Sequence, residues 1–198
     1  MTNKLFLGAV AAAALSVPVA AQAQRAPQAV VVVVDTQRVY SECTACRAAV
    51  TQLQAQGQQL QSRQQTLAGP LRTEATAIQT AVNALNGRQP DKALQDRITA
   101  LQNREQQANQ ELQRLQQNLQ STQVNVRRQI DARLGPIINQ VMTQRGANLA
   151  VDVEATLARS NGIDVTDAVL AALNQQLPSV SVTPLPQQQQ QQQPTQGR

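Results

Sequence analysis

The sequence has no histidine and no tryptophan, only two cysteines, one phenylalanine and one tyrosine. Without histidine there is no imidazole to act as a general base near neutral pH or as a metal ligand. A structural zinc site takes four ligands, usually thiolate or imidazole, and Cys43 and Cys46 cannot complete one. A Gly-rich phosphate loop and a G-x-S-x-G nucleophile turn are both missing, so phosphoryl and acyl transfer lack their usual machinery. Asp152 and Glu154 share one face of a short strand, the position of a solvated strand end. These absences predict a protein that is not an enzyme and takes no cofactor. The scarcity of aromatics removes the side chains that supply much of a core's buried area. It also removes the stacking platforms that bind single-stranded nucleic acid, which is therefore not an expected partner.

What is present begins with a leader. Lys4 is followed by an apolar stretch from Leu5 to Val17, then Pro18 and the small-residue run Ala21-Gln22-Ala23. A basic tip, a short apolar segment and an A-x-A site form the secretory signal pattern. The apolar stretch is short of the roughly 20 residues that span a bilayer. No cysteine stands at the cut to carry a lipid. Residues 1–23 are thus expected to be a cleaved signal peptide, and the alanine-rich leader with few aromatics points to a bacterial periplasm. Phe6 goes with the leader, which leaves Tyr40 as the sole aromatic, and loss of Lys4 lowers the formal charge from +5 to +4. That mild basicity suits acidic partners, among them an anionic membrane lipid surface. About one residue in five is glutamine, an uncharged helix former suited to a solvated helix face.

The patterning then divides the chain. Ala29 to Val34 is a run of valines ending at Asp35, the signature of a buried strand. From Glu42 the period changes: Val50, Leu53, Leu60, Leu67, Leu71, Ile78 and Leu85 are spaced 3, 7, 7, 4, 7 and 7. That is heptad spacing. It stops at the turn formers Asn86-Gly87-Arg88-Gln89-Pro90, and Asp91 can cap a second helix. Ile98, Leu101, Ala108, Leu112, Leu115, Leu119 and Val126 carry the second heptad series, which Ile130, Leu134, Ile137 and Val141 continue after a stutter. Two equal arms and a short turn predict an antiparallel hairpin over 42–135 with its tip near 86–91. Each arm of about 45 residues would reach roughly 65–70 Å. Gly69-Pro70 should kink the first arm, and Gly135-Pro136 should bend the second near its base.

Leu149 to Val153 reads as a strand, Ala155 to Arg159 as a further short strand, and Thr166 as the N-cap of a last helix with Val169, Leu170, Leu173 and Leu177 on its apolar face. Residues 178–198, with a polyglutamine run at 187–193, are expected to be a disordered tail. The fold class is mainly α with a small β base: a long coiled-coil hairpin inserted into a β-rich oligomerisation body formed by 24–41 and 136–177. So few strands need further apolar cover, which predicts association of identical chains.

Three segments together resemble the Skp/OmpH family of periplasmic chaperones. They are Val31-Val32-Val33-Val34-Asp35-Thr36-Gln37-Arg38-Val39, Asn148-Leu149-Ala150-Val151-Asp152 and Ile163-Asp164-Val165-Thr166-Asp167-Ala168-Val169-Leu170, with the hairpin between the first two and a signal ahead. The likeness covers about residues 29 to 177. It implies a homotrimer with three helical tentacles around a cavity. It also implies a holdase that keeps unfolded outer-membrane proteins from aggregating on their way to the outer membrane, without ATP. The alternative function is a structural or adaptor coiled coil of the cell envelope, against which the polar seam positions count. The sequence departs from the family in being Gln-rich where well-known members are Lys-rich, and in its polyglutamine tail.

Two sets of candidate site residues remain. Cys43 and Cys46 can form a local disulfide, remain free thiols or act as a redox pair. An oxidising compartment favours the disulfide, and a redox enzyme would need a compact α/β domain around the motif. Arg63, Arg72, Arg88, Arg97, Arg104, Arg114, Arg127 and Arg128 on the hairpin can supply a diffuse field for acidic clients or can be an ordinary solvated face.

Overall fold

In the computed structural model, residues 28–186 are described; the leader at 1–23 and the polyglutamine run at 187–193 lie outside them. Strand β1 (Val31–Val34) carries the valine run, and three of its four side chains are buried. Asp35 ends it by capping helix α1 (Thr36–Glu42), its carboxylate accepting the Arg38 N–H at 2.8 Å. The backbone breaks at Cys43 and restarts as helix α2 (Thr44–Ala84). Asn86 and Gly87 turn the chain with φ of 48° and 83°, the left-handed region that asparagine and glycine tolerate best. Asp91 then caps helix α3 (Lys92–Gln144), accepting the Leu94 N–H at 2.8 Å.

At 1.5 Å per residue, the 41 residues of α2 span about 62 Å and the 53 of α3 about 80 Å. The return arm is therefore longer and runs on into the body. Both prolines sit inside uninterrupted helices, Pro70 in α2 and Pro136 in α3. The expected bends do not divide either arm into separate helices.

Gly146, at φ 67°, ends α3. Strand β2 (Leu149–Asp152) then pairs with β1 in parallel, Val31 opposite Leu149 and Val34 opposite Asp152. Parallel neighbours need a crossover, and here the crossover is the whole hairpin. Asp164 makes a further parallel bridge to Val33, and helix α4 (Thr166–Gln176) closes the body. The mainly α fold with a small β base is as the sequence predicted.

Three local expectations are corrected. Ala155 to Arg159 is not a strand. The Asp152 carboxylate accepts the Glu154 N–H at 2.9 Å and winds Val153–Ala155 into a 3-10 turn, so the chain leaves the sheet and Leu157 is left fully exposed. Thr166 is not the N-cap of α4. Its N–H instead donates to the Asp164 carboxylate at 2.9 Å, and its hydroxyl accepts the Asp35 N–H at 2.9 Å. Residues 178–186 are not a disordered tail. They lie along the hairpin, with Leu185 buried and Val180 and Val182 packed on the core.

One core holds the body together. Val39, Val169 and Leu173 are fully buried, and Ala45, Cys46 and Ala49 of α2 pack with Val126, Ile130, Leu134, Ile137 and Val141 of α3. Towards the tip the burial thins, with Ile78, Leu94 and Ala108 the residues that stay buried. Leu53, Leu60, Leu67 and Leu71 on α2 and Leu101, Leu112, Leu115 and Leu119 on α3 are only half-buried. Two helices alone cannot cover both sides of their own seam.

Candidate client-holding hairpin

The segments that frame the hairpin are clasped by short polar side chains. Asn148 uses both ends of its carboxamide: its oxygen accepts the Val30 N–H and its nitrogen donates to the Gln28 carbonyl, each at 2.9 Å. The Thr36 hydroxyl donates to the Asp152 carboxylate. Arg38 reaches Asp167 at 2.8 Å and Glu42 at 3.0 Å. Thr166, buried at 1 % exposure, joins Asp35 to Asp164. The hydrogen bond from the Thr166 hydroxyl is the largest influence holding the Asp164 carboxyl below the usual carboxylate range.

Cys43 and Cys46 are joined in a disulfide at the junction of α1 and α2, with both residues buried and Cα atoms 5.1 Å apart. The Cys43 sulfur also accepts the Cys46 N–H at 3.1 Å, in the place of an N-cap side chain. A bridge between residues three apart closes a very small loop, so reduction should lower stability by no more than about 2 kcal/mol. Urea midpoints with and without dithiothreitol measure this. Loss of the whole folded state on reduction would contradict it.

The candidate arginines do not form one patch. Arg63 grips Glu111 across the arms through two hydrogen bonds of 2.7 and 3.0 Å, and this bond is the main reason the Glu111 carboxyl lies below its ordinary range. Arg97 reaches Glu74 at 3.0 Å, a second cross-arm pair. Both pairs cross between α2 and α3 and match the register of the hairpin. Exposed pairs of this kind contribute little to stability, because water screens them. Arg127 sits 4.4 Å above the Tyr40 ring and 3.4 Å from Asp131. Arg88 donates to the Leu85 carbonyl at the tip. Arg72, Arg104, Arg114 and Arg128 are exposed along the arms.

The Tyr40 hydroxyl donates to Asp131, and burial first, then this bond, pushes its pKa up to about 12. A raised tyrosine pKa stabilises the fold fully below the unfolded value of about 10 and loses that contribution as pH rises through the folded value. Tyr40 is the only tyrosine, so tyrosinate absorbance reports it alone. The folded chain should titrate near pH 12 and the urea-unfolded chain near about pH 10. Equal midpoints would contradict the bond to Asp131.

Between the arms runs a cleft with an apolar floor and polar walls. One cavity of about 550 Å³ is lined by Gln56, Gln59, Leu60, Leu115, Asn118 and Pro184, among others. A smaller one of about 310 Å³ lies next to it, between Leu67, Leu71, Arg63 and Arg104. At the tip, Leu85, Leu94 and Ala81 floor a third of about 450 Å³. These are places where apolar groups of another molecule could be covered.

The family model described as outer membrane protein (OmpH-like) matches residues 30–173. The chain belongs to this OmpH-like family. The crystal structure of a candidate outer membrane chaperone (OmpH-like) from Caulobacter crescentus CB15 shares the fold, with a TM-score of 0.66 and 21 % identity over 81 % of this chain and 94 % of that one. At that identity the likeness is one of fold. No curated protein matches the sequence. The OmpH-like match begins at the start of β1 and ends inside α4. It takes in every clasp residue from Val30 to Asp167, and the segment 178–186 lies beyond it.

Sequence patterning marks neither Asn148, Asp152, Asp164 and Thr166 as clasps nor Gln56, Asn125 and Gln129 as cleft residues bonded to the segment after α4. The first group fell inside the segments that carried the family resemblance, which was the available signal. The second group was hidden among many other carboxamides.

Proposed function

We propose that this OmpH-like protein is a periplasmic holdase: three copies associate through their bodies, and their hairpins surround an unfolded outer-membrane protein without ATP and without chemistry. The observation that carries the reading is the thinning of the core from body to tip. A permanent spacer gains by burying its seam, whereas this seam leaves Leu60, Leu67, Leu71, Leu115 and Leu119 only half-buried beside cavities that can take apolar side chains. Association is supported by Val30 and Leu149, 46 % and 47 % exposed at neighbouring strand starts, and by a two-stranded sheet too small to stand alone. The leader at 1–23 supplies export. Since Arg63, Arg97 and Arg127 are already ion-paired, capture relies on shape and many weak contacts more than on charge, and an anionic lipid surface is a secondary partner.

An unfolded outer-membrane porin diluted from urea should scatter less light when this protein is present. The same should hold at about 0.5 M salt, where exposed charges are screened within a few ångströms. Equal aggregation with and without the protein would sink the proposal.

A further inference from the structure

The segment after α4 is held in the cleft by its main chain. The Gln129 carboxamide binds both main-chain polar groups of Ser181, donating to its carbonyl at 2.9 Å and accepting its N–H at 2.8 Å. One helical turn further, Asn125 donates to the Thr183 carbonyl at 2.9 Å, and one turn further again Ser121 accepts the Leu185 N–H at 2.9 Å. From the facing arm, Gln56 donates to the Val182 carbonyl at 3.0 Å.

The spacing explains the fit. Four helical residues advance about 6.0 Å, and two extended residues about 6.6 Å. An extended chain running from body towards tip therefore meets one α3 side chain at every second residue. A carboxamide carries the same donor and acceptor as a peptide group, so Gln129 pairs with the segment as a neighbouring strand would. These contacts read backbone and not side-chain identity. Apolar specificity comes from Val182 against the core and the buried Leu185. Beyond Pro184 the groove continues into the cavity lined by Gln59, Leu60, Leu115 and Asn118.

We propose that Gln56, Asn125 and Gln129 form a binding site for extended polypeptide main chain, with residues 180–185 as its resident occupant, which an unfolded segment of alternating apolar and small polar side chains displaces. The client half of this statement rests on the holdase reading; the groove half does not. It also gives the Gln-rich arms a task, because carboxamides bind backbone whatever its sequence.

The test uses the full chain with Ser181→Pro and Leu185→Asp, which remove one main-chain donor and put a charge at the buried anchor. The probe is a fluorescent peptide of residues 178–186, followed by anisotropy. It should bind the double variant at least about tenfold more tightly than the parent, whose own segment competes. Adding Gln129→Ala should then weaken binding about tenfold through the loss of two hydrogen bonds. No binding to the double variant, equal binding to both chains, or no effect of Gln129→Ala would overturn the proposal. Amide exchange of the parent is an independent check that needs no variant: the Ser181 and Leu185 N–H groups should be protected, and exchange at unfolded-chain rates would refute the docked segment. If the peptide binds as expected but unfolded porin does not compete with it, the groove stands and the client half of the proposal falls, while light scattering with porin judges the holdase reading separately.

Discussion

Ile137→Ala should lower the folding stability by about 2–5 kcal/mol. Ile137 is 1 % exposed, within the core that α3 shares with α1, α2 and α4. Truncating a buried isoleucine loses its transfer energy and leaves a cavity that the crossing helices cannot close. The same change at Leu101 should cost under about 1.5 kcal/mol, because that side chain is only half-buried and loses less apolar cover. Urea denaturation at one chain concentration measures both. Equal costs would mean that the hairpin is packed as tightly as the body, and the thinning of the core towards the tip could no longer support the holdase reading.

Thr166→Val should cost about 1–3 kcal/mol at neutral pH, although the two side chains have nearly the same shape. The change leaves the Asp35 N–H without its acceptor and takes a hydrogen bond from Asp164. The pH dependence separates the two effects. A lowered Asp164 pKa adds stability above the unfolded carboxylate value of about 3.9, and that stability is lost as pH falls through the folded value. Without the hydroxyl the carboxyl returns towards its ordinary range. The gap between parent and variant should therefore be full at neutral pH and narrow below about pH 4. A gap that stays constant on acidification would mean that the hydroxyl acts only through Asp35.

The hairpin was legible because heptad spacing is redundant: seven apolar positions over residues 50–85 state the same period. Strand β1 was legible from Val31–Val34, four valines in a row. Helix α1 was missed because it is only seven residues long, too short to show a period, and its start depends on the single Asp35 cap. The strand expected at Ala155 to Arg159 failed because propensity carried no knowledge of the Asp152 carboxylate that turns the chain away. Thr166 looked like a cap because threonine before an acidic turn often is one. Its hydroxyl is committed to Asp35, 131 residues away, and no local rule reports a partner at that distance.

The same limit hid the groove. Residues 178–186 have too little apolar surface to fold by themselves, which is why composition assigned them to disorder. They are ordered by Gln56, Ser121, Asn125 and Gln129, side chains that are individually indistinguishable from the other polar positions of the arms. Cross-arm pairing had the same character. Arg63 and Glu111 lie 48 residues apart, so an arginine counted towards a client-attracting field was already neutralised within the hairpin.

The most direct test of the account is the native mass of the protein mixed with one unfolded outer-membrane porin under non-denaturing conditions. The expected result is a complex of three chains with one porin, and a trimer when porin is withheld. A monomer that carries no porin would contradict it.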